Sequence, residues 1–595
     1  MTTRQLFFRY VGRHKRPVAL GVLATATGAL VSTVPPRFVG SAIDELGGGS
    51  DVGVVLTLAG LIVAATGLQV LLQALGRILT MGNARDVEYE MRNDLFAHLQ
   101  RMHLGYFQHQ RIGDLMARLT NDLNAVRTMF SGGFLHLAST IATLVFVVAA
   151  MLAINVGLTL LSLVMLPLAS LAFIVIGRRV NHLFQRLQAQ FGDLSAAAQE
   201  NFSGIRVIKA FGQEPPEIEA FARLNRGYLR RALDLAKVAN LLGPMMEAVL
   251  GVAVLAALYI GGREAIRGQM TIGQIVQFVA YLRILSGPMQ VVGWVLTVFQ
   301  TGWASLGRLR AIFVAVPGIV DQANPVTSPI NGEIELRNVT VRHGSATVLD
   351  DVSVRVAPGR SLAIVGPTGA GKTTLVNLLP RLIDPIAGQV FVDGVDVKAW
   401  SLETLRRSIG MVAQDPFLFS ASLRDDIGLG RAAPLTDDEL TRVGEMAQLS
   451  GDVAGFPSGY ETVIGERGVT LSGGQKQRVA LARAIARSPR ILILDDALSA
   501  VDTATEAAIQ NHLQSLPVHQ TRITVAHRIS SVKDADEILV LDRGRIVERG
   551  DHRRLLAQDG WYARMYRRQL LEAELDADVT DVAPGFATGI AEPAS

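Results

Sequence analysis

Apolar positions along this chain follow two rhythms. Up to about residue 300 they come in long unbroken runs, at roughly 18–40, 54–76, 132–155, 157–177, 240–262 and 272–300. Each run is long enough to cross a hydrocarbon core of about 30 Å as a helix. Six such runs in one half of a chain predict a polytopic α-helical membrane domain of six transmembrane helices.

The segments between the runs alternate in character. SAIDELGGGSDV, the turn near INVG, and GGREAIRGQMT are short. The second and fourth connections are long and rich in Arg and Lys, and the segments before the first run and after the last are also basic. The positive-inside rule places these basic parts in the cytoplasm; Arg263 and Arg267 in the fifth connection go slightly against it. Both long connections keep apolar residues at three- and four-residue spacing, so they read as helices that carry the spans into the cytoplasm. Their tips are expected near Gly105–Asp114 and Asn201–Gln213. Arg37, Glu247 and Arg283 lie in or near apolar runs, where a charge marks either a substrate path or a helix end. Pro35-Pro36, Pro244 and Pro288 are candidate kinks.

The rhythm changes after VPGIVDQANPVTSPING, a proline-marked linker. Short β-rich bursts such as IELRNVTV and SLAIVG then alternate with helical segments, the pattern of an α/β domain. The organisation predicted is a membrane domain over 1–315, a linker over 316–332, an α/β domain over 333–570 and a disordered acidic, Ala/Gly/Pro-rich tail over 571–595.

Composition agrees with a membrane protein: 49% of the 595 residues are hydrophobic and the mean hydropathy is +0.31. A net charge of +4 gives no case for nucleic acid as a partner. With no cysteine, disulfides and thiolate metal sites are excluded. The basic, amphipathic start MTTRQLFFRYVGRHKRP lacks the pattern of a cleaved signal peptide.

The chemistry concentrates in the α/β half. SLAIV runs into GPTGAGKTT, which satisfies G-x-x-x-x-G-K-[ST] between a strand and an apolar helix start. Gly366, Pro367, Thr368, Gly369, Ala370, Gly371, Lys372, Thr373 and Thr374 therefore form a candidate P-loop, with backbone N–H groups around phosphate oxygens. Lys372 is expected on the β- and γ-phosphates of ATP and Thr373 on Mg²⁺. ILILDD, further on, is a buried apolar strand that ends in Asp495, a second candidate Mg²⁺ ligand. Between these two lies LSGGQKQR. Ser472, Gly473 and Gly474 open a helical run and offer a second helix N-terminus suited to phosphate, which suggests a nucleotide held between two subunits.

With these motifs in this order, the chain resembles an ATP-binding cassette (ABC) exporter half-transporter over about residues 5–570. The resemblance implies the type IV exporter fold, six membrane helices fused to an α/β P-loop ATPase domain, and LSGGQ (through Gln475) as the family's signature. It also assigns roles by position. Gln414 in MVAQDPFLFS resembles the glutamine that touches Mg²⁺ or water, and His527 in ITVAHRISS resembles the switch histidine. Asp502 in SAVD resembles the D-loop aspartate, and Glu466 in VIGERG resembles the loop that contacts the membrane domain. YFQHQRIGDLMARLTND and ENFSGIRVIKAFGQE resemble the two coupling-helix regions.

Two positions depart from the family pattern. His343 stands where an aromatic residue usually stacks on adenine; an imidazole offers less area. Asp496 stands where the family has the glutamate that acts as general base on the attacking water. Asp is one methylene shorter, a withdrawal of roughly 1–1.5 Å, and a misplacement of about 1 Å can lower a rate about a hundredfold. The implied protein exports a hydrophobic or amphipathic substrate (drug, lipid or peptide) by alternating access, from the bacterial inner membrane. Its partner is a second half-transporter. That partner is either a different chain carrying the glutamate, which completes a heterodimer with one degenerate site, or a second copy, which gives a slow homodimer. A regulatory, non-hydrolysing subunit and an importer built on the same fold are the rivals.

Overall fold

The computed structural model describes residues 1–48, 52–465, 471–515 and 520–582, so Glu466 lies outside the described residues. The chain divides into two compact units: Met1–Arg101 with Gln110–Ala315, and Met102–His109 with Val316 onward. Residues 102–109, from the first long connection, group with the second unit.

In the first unit, α1 (Thr3–Arg13) starts at a capping box in which Thr2 and Gln5 satisfy each other's backbone N–H groups. Its apolar face buries Leu6 and Tyr10, and the Tyr10 hydroxyl donates to Asp94 at 2.7 Å. The helix thus lies against α4 (Val52–Gln100). α2 (Lys15–Val31) and α3 (Val34–Gly47) come between them and make up the first apolar run. They break at Ser32-Thr33, just ahead of Pro35-Pro36, and the Thr33 carbonyl freed by the break accepts the Tyr281 hydroxyl at 2.7 Å.

The first long connection carries α5 (Leu104–Gln108), which belongs to the second unit, then α6 (Ile112–Ala117), α7 (Leu123–Thr128) and α8 (Phe134–Ile154). Wide π turns at Arg118–Asp122 and Met129–Gly133 join the last three. Asn155 caps α9 (Val156–Ser203) by accepting from Leu158 N–H at 2.9 Å. The remaining helices are α10 (Ile205–Ala210), α11 (Glu214–Ala239), α12 (Leu242–Ile266) and α13 (Ile272–Val314). Among the described residues, five helical stretches are long and apolar enough to span a membrane. The remaining expected run, 157–177, falls inside α9, where the side chains of 165–174 are outside the description.

The 49 residues of α4 and the 48 of α9 extend about 72 Å at 1.5 Å per residue, more than twice a hydrocarbon core. The breaks at the tips of the long connections fall where the pattern placed them. The prolines behave differently from one another. Pro244 sits in the first turn of α12, where its missing N–H has no helical partner to lose. Pro288 is inside α13, which runs through it as one helix. A helix start therefore replaces the kink expected at Pro244, and Pro288 lies within the length of α13.

The second unit holds two sheets. Strands β1 (Ile334–His343), β2 (Ala346–Val356), β4 (Ala387–Val392) and β5 (Val395–Asp396) form an antiparallel sheet in the order β2-β1-β4-β5. β3 (Ser361–Val365), β6 (Ile409–Val412), β7 (Ile491–Asp495), β8 (Thr521–Val525), β9 (Glu537–Asp542) and β10 (Arg545–Gly550) form the other, in the order β10-β9-β3-β8-β7-β6. All its neighbours are parallel except β10 with β9. The two sheets share one core, in which Val339, Leu349, Ile364, Ile493 and Leu539 are fully buried. A second core lies on the other side of β7, where Leu492 and Leu494 meet Leu440 of α17 (Asp437–Met446) and Leu481 of α19 (Gly473–Ala486). Burial on both faces explains why ILIL is apolar without alternation.

The helices of this unit are α14 (Lys372–Asn377), α15 (Leu402–Arg407), α16 (Leu423–Ile427), α17 (Asp437–Met446), α18 (Ser450–Ala454), α19 (Gly473–Ala486), α20 (Thr503–Gln514), α21 (His552–Ala557) and α22 (Trp561–Val582). The linker is pinned to the α/β unit: Val326 N–H donates to Ala399 at 2.8 Å, and Asp321 accepts from Leu402 N–H at 2.8 Å. The tail, expected to be disordered from 571, continues α22 through Val582. LLEAELDA consists of helix formers, and Arg568 pairs with Glu572 one turn on at 2.9 Å.

Candidate functional site

The P-loop leaves β3 through Gly366 and enters α14 at Lys372. Its backbone requires glycine at two points. Gly366 has φ +148°, and a Cβ there would lie 2.0 Å from the Leu541 carbonyl oxygen; Gly371 has φ +99°, and a Cβ would lie 2.7 Å from the Val348 carbonyl. The Lys372 ammonium is buried and donates to the carbonyls of Gly366 at 2.9 Å and Pro367 at 3.0 Å.

A cavity of about 220 Å³ opens over this loop. It is lined by Thr368 through Thr374, Gln414, Asp495, Asp496 and His527, with Val348 and Val525. Gln414 arrives on the loop after β6, the two aspartates at the end of β7, and His527 on the loop after β8. Parallel strands bring these four positions to one edge of the sheet, at the carboxyl ends, where such sheets bind ligands.

The site is short of positive charge. Asp495 is 1% exposed, and its Oδ2 has no hydrogen-bond donor. Burial pushes its pKa up and the neighbouring Asp496 adds to this, while the Thr373 hydroxyl, Lys372 and His527 pull it down. Burial also lowers the pKa of Lys372, against the attraction of Asp496 and Asp495. A buried carboxylate oxygen without a donor, next to a threonine hydroxyl, fits a hard divalent cation.

Asp496 adopts the left-handed conformation, φ +49°. Its N–H donates to the Val525 carbonyl at 2.9 Å. Its carbonyl accepts from the Ser499 hydroxyl at 3.0 Å and from Gln477 Nε2 at 3.5 Å. Gln477 is 4% exposed; its Oε1 accepts from Ala500 N–H at 2.9 Å, and its Nε2 also donates to Ser499 Oγ at 3.0 Å. Gln477 therefore ties α19 to the loop that carries the second aspartate. Sequence reasoning missed it; its position two residues past Gln475, on the inward face of the helix, was the available signal.

The other predicted residues lie elsewhere. Ser472 caps α19, accepting from Gln475 N–H at 3.2 Å while Gln475 Oε1 accepts from Ser472 N–H at 2.9 Å. Ser472, Gly473, Gly474 and Gln475 do not line the cavity. Asp502 caps α20 through Thr505 N–H at 2.9 Å, and that contact lowers its pKa. His343 ends β1 on an exposed hairpin, also outside the lining. The loop bearing His527 is held from behind: Gln569 of α22 donates to the His527 carbonyl at 2.8 Å and accepts from Ile529 N–H at 2.8 Å.

Residues 18–289 match the family described as "ABC transporter transmembrane region", and residues 349–499 match "ABC transporter". The chain is 34% identical over 577 residues to the "Multidrug resistance-like ATP-binding protein MdlA" of Escherichia coli (strain K12), covering 96% of each chain. It is 35% identical over 491 residues to the "ATP-dependent lipid A-core flippase" of Syntrophus aciditrophicus (strain SB), covering 82% of each. A solved bacterial Atm1-family ABC exporter with ATP bound superimposes with a TM-score of 0.77 at 28% identity, over 94% of this chain and 99% of that one. The chain belongs to the ABC transporter family: it is an exporter half-transporter, a multi-pass membrane protein whose α/β domain is an ATPase coupled to transport.

Proposed function

We propose that this chain is the degenerate-site half of a heterodimeric exporter that moves a hydrophobic or amphipathic substrate out across a bacterial inner membrane, with the α/β domain on the cytoplasmic side. The observation that carries the reading is the acid complement of the cavity. Among the described residues, Asp495 and Asp496 are the only carboxylates that line it, and neither is a glutamate.

In this reading the P-loop amides and Lys372 hold the ATP phosphates, and His343 stacks on the base. Thr373, Gln414 and Asp495 hold Mg²⁺, which neutralises phosphate charge when bound. Asp496 orients the attacking water from too far back, and His527 meets the γ-phosphate. Ser472 and the α19 N-terminus serve the nucleotide on the partner's P-loop. That partner carries the glutamate, so the LSGGQ of this chain completes the faster site. The names of the multidrug and lipid A-core relatives support an apolar or amphipathic cargo.

The test is ATP turnover by the full chain, purified alone into nanodiscs, for wild type, Asp496→Glu and Asp496→Asn. The expected result is ATP binding with slow turnover in wild type and a rise of about ten- to a hundredfold in Asp496→Glu. Rapid wild-type turnover that Asp496→Asn abolishes would make Asp496 the working base and overturn the reading.

A further inference from the structure

Within the first unit lies a second cavity, of about 560 Å³, among α3, α4, α8 and α13. Its lining includes Gln69 and Gln73 of α4, His136 and Thr143 of α8, and Arg283 of α13. Arg283 stands 11 residues into α13 from Ile272, about 16 Å along the axis and so near the middle of a core of about 30 Å. A guanidinium at that depth is costly unless it is paired or faces a polar cavity. Among the described residues, none that lines this cavity is acidic and Arg283 makes no ion pair. The cavity thus presents one permanent cation, two amides and an imidazole, with no anion to balance them. Val39, Ile284 and Val291 add apolar surface to the same lining. Trp294, one turn beyond Val291, packs edge-on against His136 with ring centroids 5.2 Å apart.

The geometry points to a binding site for an anionic amphiphile, with its carboxylate or phosphate on Arg283 and its chain along the apolar wall. Gln69, Gln73 and Thr143 supply the remaining donors. This rests on the exporter reading above and narrows the substrate class it left open. A free fatty acid and an anionic phospholipid share the required chemistry.

Trp294 provides the readout. The full chain in phosphatidylcholine nanodiscs, without nucleotide and at alkaline pH, is titrated with dibromostearate or its methyl ester, and separately with a brominated phosphatidate or the matching phosphatidylcholine. Quenching absent from Trp294→Phe is assigned to the site. The expected result is about ten- to a hundredfold tighter binding of the charged member of at least one pair, the range for a hydrogen bond to a charged group. The arm that shows the preference identifies the source. Arg283→Gln should remove the preference and Arg283→Lys should retain it. Equal binding of charged and neutral probes to wild type overturns the inference without any variant, as does a preference that survives in Arg283→Gln. Because nucleotide is absent, failure here is separate from failure of the turnover test.

Discussion

Asp495→Asn should stabilise the metal-free protein. Asp495 is 1% exposed and its Oδ2 lacks a donor. An unpaired buried acceptor costs about 1–3 kcal/mol, and more when charged; Lys372 and Thr373 offset part of this. Asparagine keeps the shape and removes the charge, so a gain of about 1–2 kcal/mol is expected in chelator, or roughly 2–6 °C in the melting of a domain of this size. The pH dependence follows from the raised pKa of Asp495 in the fold, against 3.8 for the unbiased carboxyl. Between those two values the folded state holds more protons than the unfolded state, so wild-type stability falls as pH rises through that window. The advantage of Asp495→Asn should therefore be complete above the folded pKa and shrink on acidification. Adding Mg²⁺ should raise wild type and leave the variant nearly unmoved. Hydrogen exchange of the peptide covering β7, in the full chain with and without chelator, reads all three effects. If Asp495→Asn exchanges faster than wild type in chelator, or if the gap ignores pH, the view of this carboxylate as an unsatisfied metal ligand fails.

Gly366→Ala should abolish ATP binding, measured by fluorescent-nucleotide titration, because its Cβ would be forced to 2.0 Å from the Leu541 carbonyl. Gln477→Leu keeps the volume and removes bonds to Ala500, Ser499 and Asp496; a local loss of about 2 kcal/mol should appear as faster exchange across 496–500, with ATP affinity nearly unchanged. Gln569→Ala frees the His527 carbonyl and the Ile529 N–H; the slow turnover of the chain purified alone should fall about tenfold while nucleotide affinity holds, since the bonds lost position the loop rather than bind phosphate. Tyr10→Phe removes the bond to Asp94, a loss of about 1 kcal/mol. Burial and Asp94 raise the pKa of Tyr10 above 10.0, so wild type should lose stability as pH climbs past 10.0, and the variant should not lose this increment.

Local rules carried the membrane half and the P-loop. Twenty-residue apolar runs need only length to be read, and Gly366–Thr374 needs only a strand before it and a helix after it. What local pattern could not supply was pairing across distance. β1 joins β2 and β4, and the antiparallel sheet they form covers the parallel one, but nothing in IELRNVTV names its neighbours. Gln477 was invisible for the same reason: its partners, Asp496, Ser499 and Ala500, come from another element. The roles of the prolines depended on register, because Pro244 in a first turn and Pro288 in mid-helix look alike in sequence. Over 571–582, composition outvoted propensity: acidic residues suggested disorder where LLEAELDA continues α22.

The second aspartate is held in a way that bears on its reach. Its N–H is fixed on Val525, its carbonyl on Ser499 and Gln477, and its φ is +49°. In the proposed degenerate-site reading, the occupied backbone groups oppose any shift that would carry the shorter side chain about 1.3 Å toward the phosphates. The same conformation favours aspartate over glutamate, because Asp is enriched in left-handed backbone and its short polar side chain bonds locally there. At this position local stability and catalytic reach therefore pull in opposite directions. Asp496→Glu should raise turnover while lowering the domain's stability by a few tenths of a kcal/mol. A variant that gained in both would mean that the loop is not rigid, and that the short side chain reaches the water by backbone movement.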